Sequence, residues 1–292
     1  MARANATRRP QNRPGFSMLE VMMVIFIISI VLSIVLPALM AGRDAAQRVS
    51  CLNNLRQMSL ALGNYESQYQ VLPPGVVNPT GPIHNRPDGL HISWIMQLMP
   101  YQEQMRLALS FDHEFPVYAA VNNTVRMTSI RTLVCPSDVS ATRKLPYAAS
   151  SYAACHHDVE APIDVDNHGV FYVNSSLSHA DLLDGSSNTI FVGEKLTDSR
   201  DLGWLSGTRA TLRNTGTPLN AGLAAILARK PIADDDDPDD LRVGGFGSFH
   251  KGGANFIFGD GSVRFITETI SPRVYRFLGH RADGEMLEEG AF

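Results

Sequence analysis

Glu20 is the residue whose placement most invites a chemical explanation, because it is the single carboxylate in the run GFSMLEVMMVIFIISIVLSIVL over residues 15–36. An acid at bilayer depth costs up to about 2.5–3.5 kcal/mol, so intramembrane acids usually have a partner and a function. The uncut sequence supplies none. Cleavage between Gly15 and Phe16 would create an ammonium group four residues from Glu20, or about 6 Å of helix rise. A neighbouring copy staggered by that rise could pair its amine with this carboxylate. The chemistry implied is peptide cleavage followed by ion pairing between subunits.

Other groups with chemical potential are scattered. Cys51, Cys135 and Cys155 allow one disulfide with one thiol left over. Cys51 to Cys135 is favoured because it closes the longer loop and ties a helix to the later domain, with Cys135 to Cys155 as the alternative and free buried thiols as a third reading. No Cys-x-x-Cys pair occurs, so a zinc ribbon is unsupported. Cys155-His156-His157-Asp158 invites a metal reading, but adjacent strand residues point to opposite faces, which favours a solvated turn. Asp164 and Asp166, followed by Gly169, have the spacing of half a calcium loop, and no Glu stands at the twelfth place. They are the weak calcium candidates, and no other metal site is expected. His250, Asp260 and Gly261 are expected to hold a hairpin in place, with a metal-dependent hydrolase using His250 and Asp260 as the less favoured alternative. No Gly-x-Ser-x-Gly elbow, His-Glu-x-x-His helix or Gly-rich phosphate loop is present, so no catalytic residue and no cofactor are expected.

The elements that must carry these groups follow from pattern. Residues 21–41 supply the roughly 20 apolar residues a spanning helix needs, and Arg3, Arg8, Arg9 and Arg13 mark the cytoplasmic flank. A secretory signal peptide would need small residues at a site where Leu39 and Met40 stand. Val49, Leu52, Leu55, Ser59, Leu62, Tyr65 and Tyr69 recur at three and four, which continues the helix until Leu72-Pro73-Pro74-Gly75 ends it. Two short helices are expected over residues 91–99 and 100–109, and residues 121–133 are ambiguous. Short strands are expected at 151–154, 169–174, 188–193 and 204–206. Asp260-Gly261 between the runs 254–259 and 262–266 is a strong hairpin signal, and Ser271-Pro272 opens a closing helix. The acidic block 233–240 reads as a solvated loop.

The string Arg13-Pro14-Gly15-Phe16-Ser17-Met18-Leu19-Glu20, followed by an apolar helix containing Pro37, resembles the class III prepilin signal of type IV pilins and type II secretion pseudopilins. The resemblance implies leader removal after Gly15 by a prepilin peptidase, N-methylation of Phe16, and subunit registration by Glu20. Cys51-Leu52-Asn53-Asn54-Leu55-Arg56-Gln57, Leu72-Pro73-Pro74-Gly75, Cys135-Pro136-Ser137-Asp138, Asp184-Gly185-Ser186-Ser187-Asn188-Thr189-Ile190 and His250-x9-Asp260-Gly261 resemble an uncharacterised prepilin-type family with a domain of unknown function. That resemblance implies an α+β, pilin-like fold, a long N-terminal helix packed on a mainly antiparallel sheet.

The expected organisation is a basic leader (1–15), a transmembrane helix (16–41), an amphipathic continuation (42–72) and an extracytoplasmic strand-rich domain (73–292). Removing the four leader arginines takes the formal charge from -4 to -8, which argues against nucleic acid as a partner. The expected function is that of a membrane-anchored pseudopilin-like assembly subunit of a type II secretion or type IV pilus-like system. It would be single-pass in the inner membrane, with its C-terminal domain in the periplasm or outside. Partners would be membrane lipid and other pilin-like subunits in a homo- or hetero-oligomer. The alternative is a membrane-tethered ligand-binding module.

Overall fold

The computed structural model describes residues 17–141, 145–228 and 240–285. Gly15, Phe16, the leader and nearly all of the acidic block 233–240 lie outside the described residues. The chain divides into two units between Ala46 and Gln47.

Helix α1 runs Met18–Tyr69. Up to Met40 its apolar side chains are exposed all round, and this part is long and apolar enough to cross a membrane. The two hydroxyls inside it are satisfied locally: Ser29 Oγ donates to Ile25 O and Ser33 Oγ to Ile30 O. From Gln47 onward α1 belongs to the second unit. Its buried stripe is Cys51, Leu55, Met58, Leu62 and Tyr65, at steps of four and three. The stripe is rotated from the expected one: Val49 and Tyr69 are exposed. Cys51 and Met58, both able to pack as apolar residues, take the buried positions instead.

Strands β1 (Val76–Val77) and β2 (Ile92–Ser93) form a small antiparallel pair. Helices α2 (Trp94–Leu98), α3 (Met105–Leu109) and α4 (Asn123–Met127) follow, with short 3-10 turns between them. The ambiguous 121–133 segment is therefore helical. Strands β3 (Tyr152–His157), β4 (Ile190–Glu194) and β5 (Leu212–Asn214) come next, then helix α5 (Leu223–Leu227). The hairpin β6 (Gly253–Phe258) and β7 (Val263–Thr267) and helix α6 (Pro272–Gly279) close the chain.

The main sheet has the order β5-β3-β4-β6-β7. Every pairing is antiparallel except β3 with β5, so the fold is α+β with a mainly antiparallel, mixed sheet. Alternation assigns its two faces. Tyr152, Ala154, Val192 and Ile257 join the core that contains the α1 stripe. Ala153, Cys155, Phe256 and Phe258 join the core that contains Tyr275 and Leu278 of α6. With both faces covered, β3, β4 and β6 are buried at every position.

Two expected strands are absent. Residues 169–174 and 204–206 make only isolated bridges, Val76 with Val173 and Ile92 with Ser206. Their side chains Val170, Phe171, Val173, Trp204 and Leu205 are buried in the core without a ladder. The β5 strand, in contrast, lies in a stretch with no strand pattern.

Candidate functional site

At the start of α1, Glu20 has a partner within the chain. Its Oε2 accepts the Ser17 N–H at 2.9 Å, while Ser17 Oγ accepts the Leu19 N–H at 3.3 Å. Ser17-Met18-Leu19-Glu20 thus caps the helix start, with the Glu20 carboxylate satisfying the Ser17 backbone donor and the Ser17 hydroxyl that of Leu19. That Ser-x-x-Glu pattern was a readable signal for the cap.

The His250 imidazole does not fold toward the Asp260 turn. The loop Ser248–His250 is held by Ser248 Oγ, which accepts the His250 N–H at 3.0 Å and donates to Gly253 O. This directs the ring under β4, where Nε2–H donates to Glu194 Oε1 at 3.1 Å, the tautomer a carboxylate selects. The other carboxylate oxygen of Glu194 accepts Asn255 N–H at 2.8 Å, and Asn255 Nδ2 reaches both oxygens at 3.1 Å. Glu194 is 1% exposed, so this set of donors is what makes a buried carboxylate tolerable. The same Nε2 lies 3.5 Å from Cys135 Sγ, which is bonded to Cys51 Sγ. Cys155 is a free, buried thiol pushed well up by burial. Because Cys51 and Cys135 are joined, they offer no thiolate to a metal beside Glu194 and His250.

Asp260 stays at its own turn. Its carboxylate accepts Ser262 N–H at 2.9 Å and pairs with Arg264 at 2.9 Å, and Gly261 takes φ +80°. His250 and Asp260 therefore do not converge on a common centre. The remaining motif residues also act as locks. Asp138 Oδ1 accepts the N–H groups of Ser140 and Ala141, and its Oδ2 accepts the hydroxyls of Ser151 and Thr197, each at 2.8 Å. Asp184 accepts the N–H groups of Asp283 and Gly284. Gly75 passes so close to Phe171 that an added Cβ would lie 2.4 Å from its carbonyl carbon.

The expected solvated turn at Cys155-His156-His157-Asp158 is corrected by the structure. Cys155, His156 and His157 end β3 inside the fold and Asp158 is buried directly after it. His156 Nδ1 pairs with Asn167 at 3.1 Å, and burial pulls its pKa down to about 4. His157 and His168 both face Asp158 Oδ1, at 2.8 and 3.0 Å, and Arg276 meets Oδ2. A cation at this cluster would compete with Arg276 for the carboxylate, and His157 Nδ1 is already engaged with Asp158 Oδ1. Asp164 accepts its neighbour Val165 N–H at 2.8 Å, and Asp166 points into solvent; neither joins a cation-holding group among the described residues.

Sequence reasoning missed a buried charge network after β4. Lys195 donates to Asp201 Oδ2, Arg209 pairs with Asp198 at 3.2 Å, and Arg213 approaches Asp201 at 3.5 Å. The adjacent charged pair Glu194-Lys195 after an apolar strand, and Asn255 inside one, were the signals available.

Residues 40–273 match a family described as protein of unknown function (DUF1559), and residues 10–36 match the prokaryotic N-terminal methylation motif. No curated protein and no solved structure matches the chain.

Proposed function

Because the chain belongs to the DUF1559 family and carries a prokaryotic N-terminal methylation motif, we propose that it is a membrane-anchored, pilin-like structural subunit of a type II secretion or type IV pilus-like assembly. In this reading a prepilin peptidase cuts after Gly15, Phe16 is methylated, and residues up to 41 of α1 hold the mature chain in the inner membrane. The C-terminal domain lies beyond it, and no catalytic step is required. The observation that carries the reading is the methylation motif at the head of a helix whose apolar side chains up to Met40 are exposed among the described residues.

The Ser17–Glu20 cap sharpens the test. Gln at this position keeps a side-chain acceptor for the Ser17 N–H but removes the charge that would attract a neighbour's ammonium group. Glu20→Gln should therefore insert into membranes normally and fail to cross-link to other subunits, as should Glu20→Ala. Intact mass from native membranes should show a chain starting at methylated Phe16. A chain retaining the leader, or undiminished cross-linking of Glu20→Gln, would sink the proposal.

A further inference from the structure

A cavity of about 270 Å³ opens beside β5, between α5 and the segment leading to β6. Arg209 and Arg213 line it on one side, and Leu196, Ala225 and Phe246 give it apolar walls. Its size suits a ligand smaller than a typical drug.

The two guanidiniums are poorly matched by the protein. Both residues are buried, Arg209 at 6% and Arg213 at 3% exposure. Each carries five N–H donors. Among the described residues Arg209 donates one hydrogen bond, to Asp198 Oδ2, and Arg213 one, to Val243 O. Asp201 Oδ1 lies farther off, 3.9 Å from Arg209 Nε and 3.5 Å from Arg213. The enclosed Nε atoms of both arginines and Asp201 Oδ1 lack a hydrogen-bond partner among those residues, and the carboxylate oxygen faces Arg209 Nε across 3.9 Å.

Among the described residues Lys195, Arg209 and Arg213 share the carboxylates of Asp198 and Asp201, Arg200 also meets Asp198, and Lys195 engages Asp201 Oδ2. The nearby Glu160 is held by Asn214, Thr217 and the backbone of Val243 and Gly244 rather than by a guanidinium. Burial, then the like charge of Arg209, pulls Arg213 down to about 10.

We propose that this cavity is a binding site for a small organic monocarboxylate, its carboxylate received by Arg209 and Arg213 and its apolar body held by Leu196, Ala225 and Phe246. A guanidinium fork matches a carboxylate in shape and charge. The site is independent of subunit assembly.

The test uses the full chain in detergent micelles and sodium benzoate as probe, titrated by calorimetry, with benzamide and sodium sulfate as controls at equal ionic strength. Benzoate should saturate at one per chain, and benzamide should bind at least about tenfold more weakly because it lacks the charge. Arg209→Gln should weaken benzoate by a similar factor. Since a buried arginine variant can fail to fold, Ala225→Trp fills the cavity without touching the charges. It should abolish binding while its own melting temperature stays within about 2 °C of the parent. Absence of saturable benzoate binding to the folded parent, equal binding of benzamide, sulfate binding as tight as benzoate, or unchanged binding by a folded Ala225→Trp would each overturn the proposal.

Discussion

Replacing Cys51 and Cys135 together by serine perturbs the covalent link between α1 and the segment leading into β3. The bond spans 84 residues of sequence. In the chain-entropy treatment, a loop of that length removes about 15 cal/mol/K from the unfolded ensemble, or about 4.6 kcal/mol at 25 °C. This is an upper value, because unfolded chains are already partly compact. For a domain of this size each kcal/mol moves the midpoint by about 2–4 °C, so the double variant should melt roughly 9–18 °C lower. The assay is thermal unfolding of the full chain in micelles by circular dichroism, parent against variant, both without reductant. Alkylation of the denatured, non-reduced parent should modify one thiol, Cys155, and three after reduction. If the parent shows one thiol and the variant still melts within about 2 °C of it, the loop-closure argument is wrong. Three thiols before reduction would remove the bond itself.

Four further outcomes are expected. His250→Ala removes a donor from buried Glu194, which keeps only Asn255; the domain should lose about 1.5–3 kcal/mol with unchanged metal content, and loss of stoichiometric zinc without a change in metal-free stability would contradict this. His156 titrates near 4 when folded, against 6.5 ordinarily, chiefly through burial. The unfolded chain then binds the extra proton, so stability falls as pH drops from 6.5 to about 4, by about 3 kcal/mol, and denaturant titrations of His156→Gln should show a shallower decline than the parent. Burial opposes the charge of His179, but hydrogen bonds to Glu66 and Gly259 O raise its pKa above 6.5. Its contribution is therefore present below 6.5 and lost as pH rises through the folded value, so the stability gap between parent and His179→Ala should close on the alkaline side; a gap constant from pH 5 to 9 would count against it. Gly261→Ala forces an L residue to φ +80° in the β6–β7 turn and should cost about 1 kcal/mol in urea unfolding, with an unchanged midpoint as the adverse result.

What could be read from the chain alone was local. The apolar run with Glu20, the Asp260-Gly261 hairpin and the Ser271-Pro272 helix start each depend on neighbours within a few residues. Backbone geometry and transfer energies act at that range, so those elements appear where their residues place them. The α+β class was what the resemblance to a prepilin-type family implied. Apart from the Cys51–Cys135 bond, which loop length favoured, the tertiary structure decided what joins distant residues. Glu194 meets His250 and Asn255 across separations of 56 and 61 residues. Nothing in the local sequence of any of the three says which carboxylate the imidazole will find. The short strand β5, with Arg213 and Asn214 buried in it, has no local strand signal. It exists because β3 offers a parallel edge and because Asp201 stands within reach of the charge. His156 and His157 read as a solvated turn because neighbouring strand residues point to opposite faces, and they are buried because both of those faces are covered. A side chain's polarity sets what burial costs, but only the packing of the whole sheet determines whether that cost is met.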